Sequence, residues 1–169
     1  MYNFQYANPT RICFGEGQIA RLPELIPAGS RLLVLYGGGS IKQNGVYEQL
    51  TQALAGREWL EFPGIGANPQ YDQLMEAVAL VKRERIDFLL AVGGGSVVDG
   101  SKFVAAAACF EGDDPWEILR DKAPIKGALP LGCVLTLPAT GSESNPAAVV
   151  SRGEAKLSFY NPLVLPRFA

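Results

Sequence analysis

The stretch I-D-F-L-L-A-V-G-G-G-S-V-V-D-G-S-K-F-V-A-A-A-A, residues 86–108, decides how the chain folds. Its opening, 86–92, is an almost continuous apolar run, the pattern of a strand covered on both faces. From Ser96 onward, Val97, Val98, Phe103, Val104 and four alanines recur at spacings that a helix can bury. Between them, Gly93, Gly94 and Gly95 predict a tight turn whose bare backbone a ligand can approach closely. A helix that starts there exposes unpaired N–H groups and the positive end of its dipole, a seat suited to phosphate. Ser96 is a candidate to cap this helix or to donate to an anion. Asp99 and Lys102, three residues apart, are placed on one face by spacing, with Asp99 expected in the first turn. A carboxylate there would repel a pyrophosphate, so its expected role is to accept hydrogen bonds from glycine-loop amides or a ligand hydroxyl. An ordinary strand-to-helix turn with no ligand has the same local pattern.

Outward from this unit the same grammar repeats. Residues 32–36 form a second apolar run that ends in Gly37, Gly38, Gly39 and Ser40, so a strand followed by G-G-G-S occurs twice. Val46, Leu50, Ala53 and Leu54 predict a helix face, 59–62 a strand stopped by Pro63 and Gly64, and 71–85 a helix with Leu74, Val78 and Val81 inward. Residues 131–137 read as another buried strand, leading into the hydroxyl-rich loop P-A-T-G-S-E-S-N at 138–145. Val149 and Val150, then 156–160, predict a small antiparallel ribbon; 10–14 predict a short strand, 18–26 a short helix and 116–119 one helical turn. Crossover helices between successive strands imply a parallel sheet. The expected fold class is therefore α/β: a Rossmann-like, doubly wound, mostly parallel sheet with flanking helices and a small antiparallel ribbon. Residues 1–169 are expected to be one dinucleotide-binding domain, with ligands at the carboxyl ends of the strands.

Composition narrows the partners. Apolar content of 48% with 19% charged residues is globular. A net charge of −2, from 15 basic and 17 acidic residues without a block of like charge, argues against nucleic acid and anionic membranes. Cys13, Cys109 and Cys133 stand apart without a C-x-x-C pair and read as buried apolar side chains in a reducing compartment. No targeting segment and no run of 18 apolar residues is evident, so the expected location is the cytoplasm. The chain contains no histidine. Asp113, Asp114, Glu117 and Asp121 read as a solvated acidic loop, and no complete metal site is expected.

Neither glycine triplet completes G-x-G-x-x-G, and the spacing G-x-x-x-x-G-K-[ST] is absent. The combination of G-G-G-S-V-V-D-G-S-K at 93–102, P-A-T-G-S-E-S-N at 138–145, Y-G-G-G-S-I-K at 36–42 and D-P-W at 114–116 is more specific. On these motifs, and over essentially its whole length, the chain resembles the iron-containing, group III alcohol dehydrogenases, in their NADPH-dependent butanol dehydrogenase and aldehyde reductase branch. The resemblance implies a dehydroquinate synthase-like nucleotide domain in which Gly94, Gly95 and Ser96 bind the cofactor pyrophosphate and Asp99 supports the same loop. It also implies that Thr140 and Ser142 lie along the nicotinamide half and that Lys156 reaches the cofactor side of the cleft. Asn68, in the turn at 66–69, joins the expected cofactor-binding set.

The first glycine turn bears on the choice of cofactor. Gly37, Gly38, Gly39 and Ser40 stand where many NAD enzymes carry an acidic side chain, and Lys42 follows. Small residues, amides, a hydroxyl and a lysine suit a 2′-phosphate, so NADP(H) is expected over NAD(H). The resemblance further implies a helical domain that supplies a divalent metal through one aspartate and three histidines. This domain is expected to be absent from the present sequence, which leaves a truncated and inactive cofactor-binding portion. Apolar residues turned toward that domain are expected to be exposed and to favour homo-oligomers through that face or through edge strands. The alternative from another class is a non-catalytic α/β nucleotide-binding or interaction module. A glycerol dehydrogenase or dehydroquinate synthase type of enzyme fits the first glycine turn and D-P-W less well.

Overall fold

The computed structural model describes residues 3, 5 and 7–169. Four parallel strands form one sheet in the order β2-β1-β3-β4: β1 (Leu32–Tyr36), β2 (Trp59–Phe62), β3 (Phe88–Gly94) and β4 (Leu131–Leu137). The helices are α1 (Leu22–Leu25), α2 (Val46–Ala53), α3 (Tyr71–Glu84), α4 (Gly95–Ala108) and α5 (Glu117–Arg120). An antiparallel ribbon, β5 (Ala147–Arg152) and β6 (Ala155–Tyr160), completes the α/β architecture. No helix among the described residues is long and apolar enough to cross a membrane.

Alternation along the central strands divides the core in two. Leu33, Leu35, Leu89, Ala91, Leu131 and Cys133 pack with the inward faces of α3 and α4 on one side of the sheet. Leu32, Val34, Tyr36, Phe88, Leu90 and Val92 pack with Leu22, Ile26, Leu50 and Leu54 on the other. Because both faces are covered, β1 and β3 show no exposed position among the residues that pair with each other, which is why their sequences read as continuous apolar runs. The helix α4 is buried along most of its length, from Val97 and Val98 to Ala107, and its run of alanines lets other elements pack closely around it. Phe103 carries this packing outward, edge-on to Tyr71 at 5.7 Å and to Phe159 of the ribbon at 6.5 Å between ring centroids.

Two expectations need correction. Residues 10–14 do not form a strand: Arg11 makes an isolated parallel bridge with Phe168, and Cys13 N donates to Ala169 O at 2.7 Å. Their partner is a short terminal segment, which is itself tied to β4 by Cys133 N to Phe168 O (2.9 Å) and Arg167 N to Leu131 O (2.8 Å). The strand expected to end at Val92 continues through Gly93 and Gly94, which pair with Leu135 and Leu137 of β4 across a register shift that falls between the two glycines. Within residues 18–26, a short 3₁₀ turn, Gln18–Arg21, precedes the single turn of α1.

The acidic segment at 113–121 gathers no metal-binding group, and none of at least three His, Cys, Asp or Glu side chains occurs among the described residues. Asp114 is instead a structural anchor. It accepts from Tyr71 Oη at 2.5 Å, from the Trp116 amide at 3.0 Å and from Arg152 at 2.9 Å, while the Arg152 guanidinium lies 4.3 Å from the centre of the Tyr71 ring.

Candidate functional site

The carboxyl ends of β1 and β3 lie at the point where the sheet order reverses, since β1 leads outward to β2 and β3 leads the other way to β4. In open α/β sheets a ligand crevice forms at such a point. Both G-G-G-S segments emerge there. A Cβ built on Gly37 would stand 3.3 Å from Ile65 O and 3.7 Å from Val97 Cγ2 in the first turn of α4, so the two glycine turns are neighbours. Gly38 has open space where a Cβ would stand, and Gly39 has φ 100°, a left-handed conformation that favours glycine. A hollow of about 630 Å³ near Arg31, Arg57 and Trp59 lies at the opposite, amino-terminal end of the strands and is separate from this rim.

The helix α4 begins at Gly95, with Gly94 at its N-cap and no side-chain cap hydrogen bond. Ser96 therefore does not cap the helix; it lies within the first turn. The first-turn amides thus have no side-chain cap, which is what an incoming phosphate requires. Gly95 is needed for a second reason: a Cβ there would stand 2.4 Å from Thr140 Oγ1. Thr140 Oγ1 and Ser142 Oγ are 2.8 Å apart, and the Ser142 amide donates to Thr140 Oγ1 at 3.3 Å. The loop after β4 is thereby folded directly against the glycine turn, with Leu137 beside Gly94 and 66% exposed.

Asp99 lies one turn inside α4, outside the first turn where spacing put it. Its Oδ2 accepts from the Val149 amide of β5 at 3.0 Å rather than from a glycine-loop amide, and its Oδ1 is buried without a hydrogen-bond partner. Burial raises this carboxyl above its usual range, opposed by the Ser142 hydroxyl, the Val149 amide and the Lys102 charge. Thr140 Oγ1 and Ser142 Oγ share a hydrogen bond at 2.8 Å in which either hydroxyl can be the donor, so the Ser142 hydroxyl is placed to act on Asp99, whose Oδ1 is enclosed by the protein.

Lys102 faces the same side but forms no part of the ligand surface. It is fully buried, and its Nζ donates to Asn145 O at 2.7 Å, Asn145 Oδ1 at 3.2 Å and Ala147 O at 2.7 Å. Burial pulls its pKa down to about 8, while Asp99, Cys133 and Glu143 act in the opposite direction. Three acceptors match three ammonium protons, so Lys102 fastens the end of the 138–145 loop and the start of β5 to α4. Spacing alone did not reveal this role, because the acceptors lie 43 and 45 residues further along the chain.

Lys156 and Asn68 are brought together, with Lys156 Nζ donating to Asn68 Oδ1 at 2.5 Å; both are exposed, and Asn68 has φ 53°. Lys42 is not free beside the first glycine turn. Its Nζ lies 3.4 Å from Glu61 Oε2, 5.3 Å from the Tyr36 ring centre and 4.6 Å from that of Tyr47. Glu61 was missed by sequence reasoning; the available signal was a single carboxylate inside the strand W-L-E-F.

Comparison with known proteins agrees with this fold. The family model for iron-containing alcohol dehydrogenase matches residues 9–169. The NADPH-dependent aldehyde reductase YqhD of Escherichia coli (strain K12) is 56% identical over all of this chain and 45% of its own length. The probable NADH-dependent butanol dehydrogenase 1 of Bacillus subtilis (strain 168) is 48% identical, over all of this chain and 45% of its own length. The crystal structure of E. coli K-12 YqhD superposes with a TM-score of 0.94 at 56% identity, covering 99% of this chain and 44% of the other. That of NADH-dependent butanol dehydrogenase A from Thermotoga maritima gives 0.92 at 45% identity, again covering 99% and 44%. The chain thus spans less than half the length of the curated relatives it matches.

Proposed function

The chain belongs to the iron-containing alcohol dehydrogenase family, and on that premise we propose that residues 1–169 form the nicotinamide cofactor-binding domain of an NADP(H)-dependent alcohol dehydrogenase or aldehyde reductase. The observation that carries this reading is the start of α4, uncapped and built on Gly94 and Gly95, with Thr140 and Ser142 closed over one side. A glycine cradle at the start of a helix fits a ligand that brings phosphate oxygens.

When bound, NADPH supplies the hydride that reduces an aldehyde to a primary alcohol, and its oxidised form accepts one in the reverse direction. The chain's own residues bind and orient. Amides of Gly95 and Ser96 and the Ser96 hydroxyl receive the pyrophosphate. Gly37, Gly38, Gly39 and Ser40 let the adenosine half approach the backbone. Thr140 and Ser142 position the nicotinamide half, while Asp99 supports the loop around it through the Val149 amide. Lys156, steadied by Asn68, adds positive charge on the ribbon side. The described residues hold no ligand set for a divalent metal, since the chain lacks histidine and no three candidate ligands converge. No step of hydride transfer is therefore assigned to a metal held by these residues, and the domain alone is expected to bind cofactor without turnover.

Calorimetric titration with NADPH and NADH tests this reading. Binding of NADPH by the folded chain is expected; failure of both cofactors to bind would leave the non-catalytic module as the better account. Aldehyde reduction by this chain alone would refute the division of labour.

A further inference from the structure

We propose that Glu61 is a specificity-determining residue that weakens discrimination for NADPH over NADH by holding Lys42. The proposal deepens the cofactor reading above and rests on it. The sheet order places β2 outside β1, on the side away from β3 and α4. A cofactor seated by its pyrophosphate on α4 and extended over Gly37, Gly38 and Gly39 therefore reaches the β1–β2 side, where Lys42 follows the turn within the 3₁₀ segment Ser40–Lys42. In-register pairing of Val34 with Glu61 brings the carboxylate to that place from β2.

The carboxylate there is fixed. Glu61 Oε1 accepts from Tyr47 Oη at 2.5 Å, and Oε2 accepts from Tyr36 Oη at 2.5 Å while standing 3.4 Å from Lys42 Nζ. The Glu61 side chain is 29% exposed and that of Lys42 is 47% exposed, so the acid is the sheltered partner and the amine faces solvent. Burial pushes the Glu61 carboxyl up, but the bonds from Tyr36 and Tyr47 and the Lys42 charge outweigh it and keep the group below the usual carboxylate range. Near neutral pH the group is thus an anion anchored by two phenols. A 2′-phosphate arriving at Lys42 must compete with this carboxylate for the same ammonium, whereas an unphosphorylated ribose makes no such demand on Lys42. Lys42 favours NADPH, Glu61 opposes it, and the pair leaves a modest preference where Lys42 alone would give a strong one.

The test measures dissociation constants for NADPH, NADH, 2′-AMP and 5′-AMP on the folded chain and on three variants. Glu61→Gln keeps the side-chain shape and an acceptor oxygen for one of the two phenols, the other phenol accepting from the amide NH2, while removing the charge. It is expected to tighten NADPH and 2′-AMP by about two- to fivefold, a typical gain for releasing one partly exposed ion pair, with NADH and 5′-AMP little changed. Lys42→Met is expected to weaken NADPH and 2′-AMP by a similar factor. In Glu61→Gln/Lys42→Met the gain from the first change should largely vanish, because it acts through Lys42. An unchanged NADPH-to-NADH ratio in Glu61→Gln, or a gain that survives without Lys42, overturns the proposal. Should Glu61→Gln not fold, Glu61→Asp, which keeps the charge but draws it back from Lys42, takes its place: an NADPH-to-NADH ratio unchanged from the parent overturns the proposal. If the parent chain binds neither cofactor, the dinucleotide reading fails instead, so the two failures are distinguishable.

Discussion

Gly95→Ala is expected to preserve the sheet and abolish most of the affinity for a nicotinamide cofactor. The added methyl would stand 2.4 Å from Thr140 Oγ1, 3.1 Å from its Cγ2 and 3.3 Å from its Cβ. Rotating the threonine does not relieve this, because its other branch is already crowded and its hydroxyl is held by Ser142. The loop at 138–145 must therefore retreat from the glycine turn. Overpacking of this kind typically costs about 1–3 kcal/mol, and here it is spent on separating the two walls that would orient the nicotinamide half. Loss of about tenfold to a hundredfold in NADPH affinity follows from that range. Gly38→Ala is the informative companion: a Cβ there meets no atom within 4 Å and φ is not left-handed, so its melting temperature should match the parent. Any loss of binding by Gly38→Ala then reports the cofactor itself. If Gly95→Ala binds NADPH as tightly as the parent, the turn at 93–96 is not the cofactor seat.

Lys102→Met should have the largest effect on stability. The substitution leaves Asn145 O, Asn145 Oδ1 and Ala147 O without the donor that joins them to α4. Each stranded acceptor costs about 1–3 kcal/mol where buried and less at half-buried residues such as Asn145 and Ala147, and the loss is offset in part because a buried ammonium no longer has to be desolvated. Asn145 Oδ1 also keeps the Ala147 amide as a donor at 2.9 Å. A net loss of about 2–3 kcal/mol is expected, or roughly 5–10 °C in melting temperature for a chain of this size. The pH dependence provides a signature. Burial holds the pKa of Lys102 at about 8, below the 10.5 of an exposed lysine. Between those values the unfolded chain binds more protons than the folded one, so this lysine makes stability rise with pH. The difference between parent and variant in urea unfolding should therefore widen as pH increases through that window. A constant difference would mean that the amine titrates normally.

Much of the fold was legible because β1, β3 and α4 are nearly uniform in polarity. A strand buried on both faces and an alanine-rich helix each have few alternative readings. The limits of β3 were less legible because Gly93 and Gly94 have the composition of a turn, yet Leu135 and Leu137 of β4 supply them with pairing partners. Local preference gave way to a neighbour about 40 residues distant. At the site, the rim residues Gly37, Gly38, Gly39, Gly94, Gly95, Ser96, Thr140 and Ser142 could be placed because glycine and hydroxyl clusters mark strand ends. The charged residues were harder. Lys42 was read without Glu61, Asp99 without Val149 and Lys102 without Asn145, since each pairing depends on register or packing between separate elements. A motif identifies a backbone shape more readily than it identifies which neighbour a side chain will find.

The outer edge beside β4 has a consequence for the order in which this molecule assembles. Thr10 Oγ1 donates to Pro166 O at 2.8 Å across a separation of 156 residues, and Arg11 and Cys13 donate to Arg167 O and Ala169 O. Phe168 secures the terminal segment by lying over Gly132 and stacking on Phe88 with ring centroids 6.2 Å apart. Closing so long a loop becomes favourable only after the intervening sheet exists. Residues 10–13 and 166–169 are therefore expected to join last and release first. Native-state hydrogen exchange should find the Arg11, Cys13 and Ala169 amides opening together, well before those of β1 and β3. Persistence of the first two after the terminal segment is removed would contradict this sequence of events. The edge of the sheet would then act as a latch, recording whether the chain between its two halves has already folded.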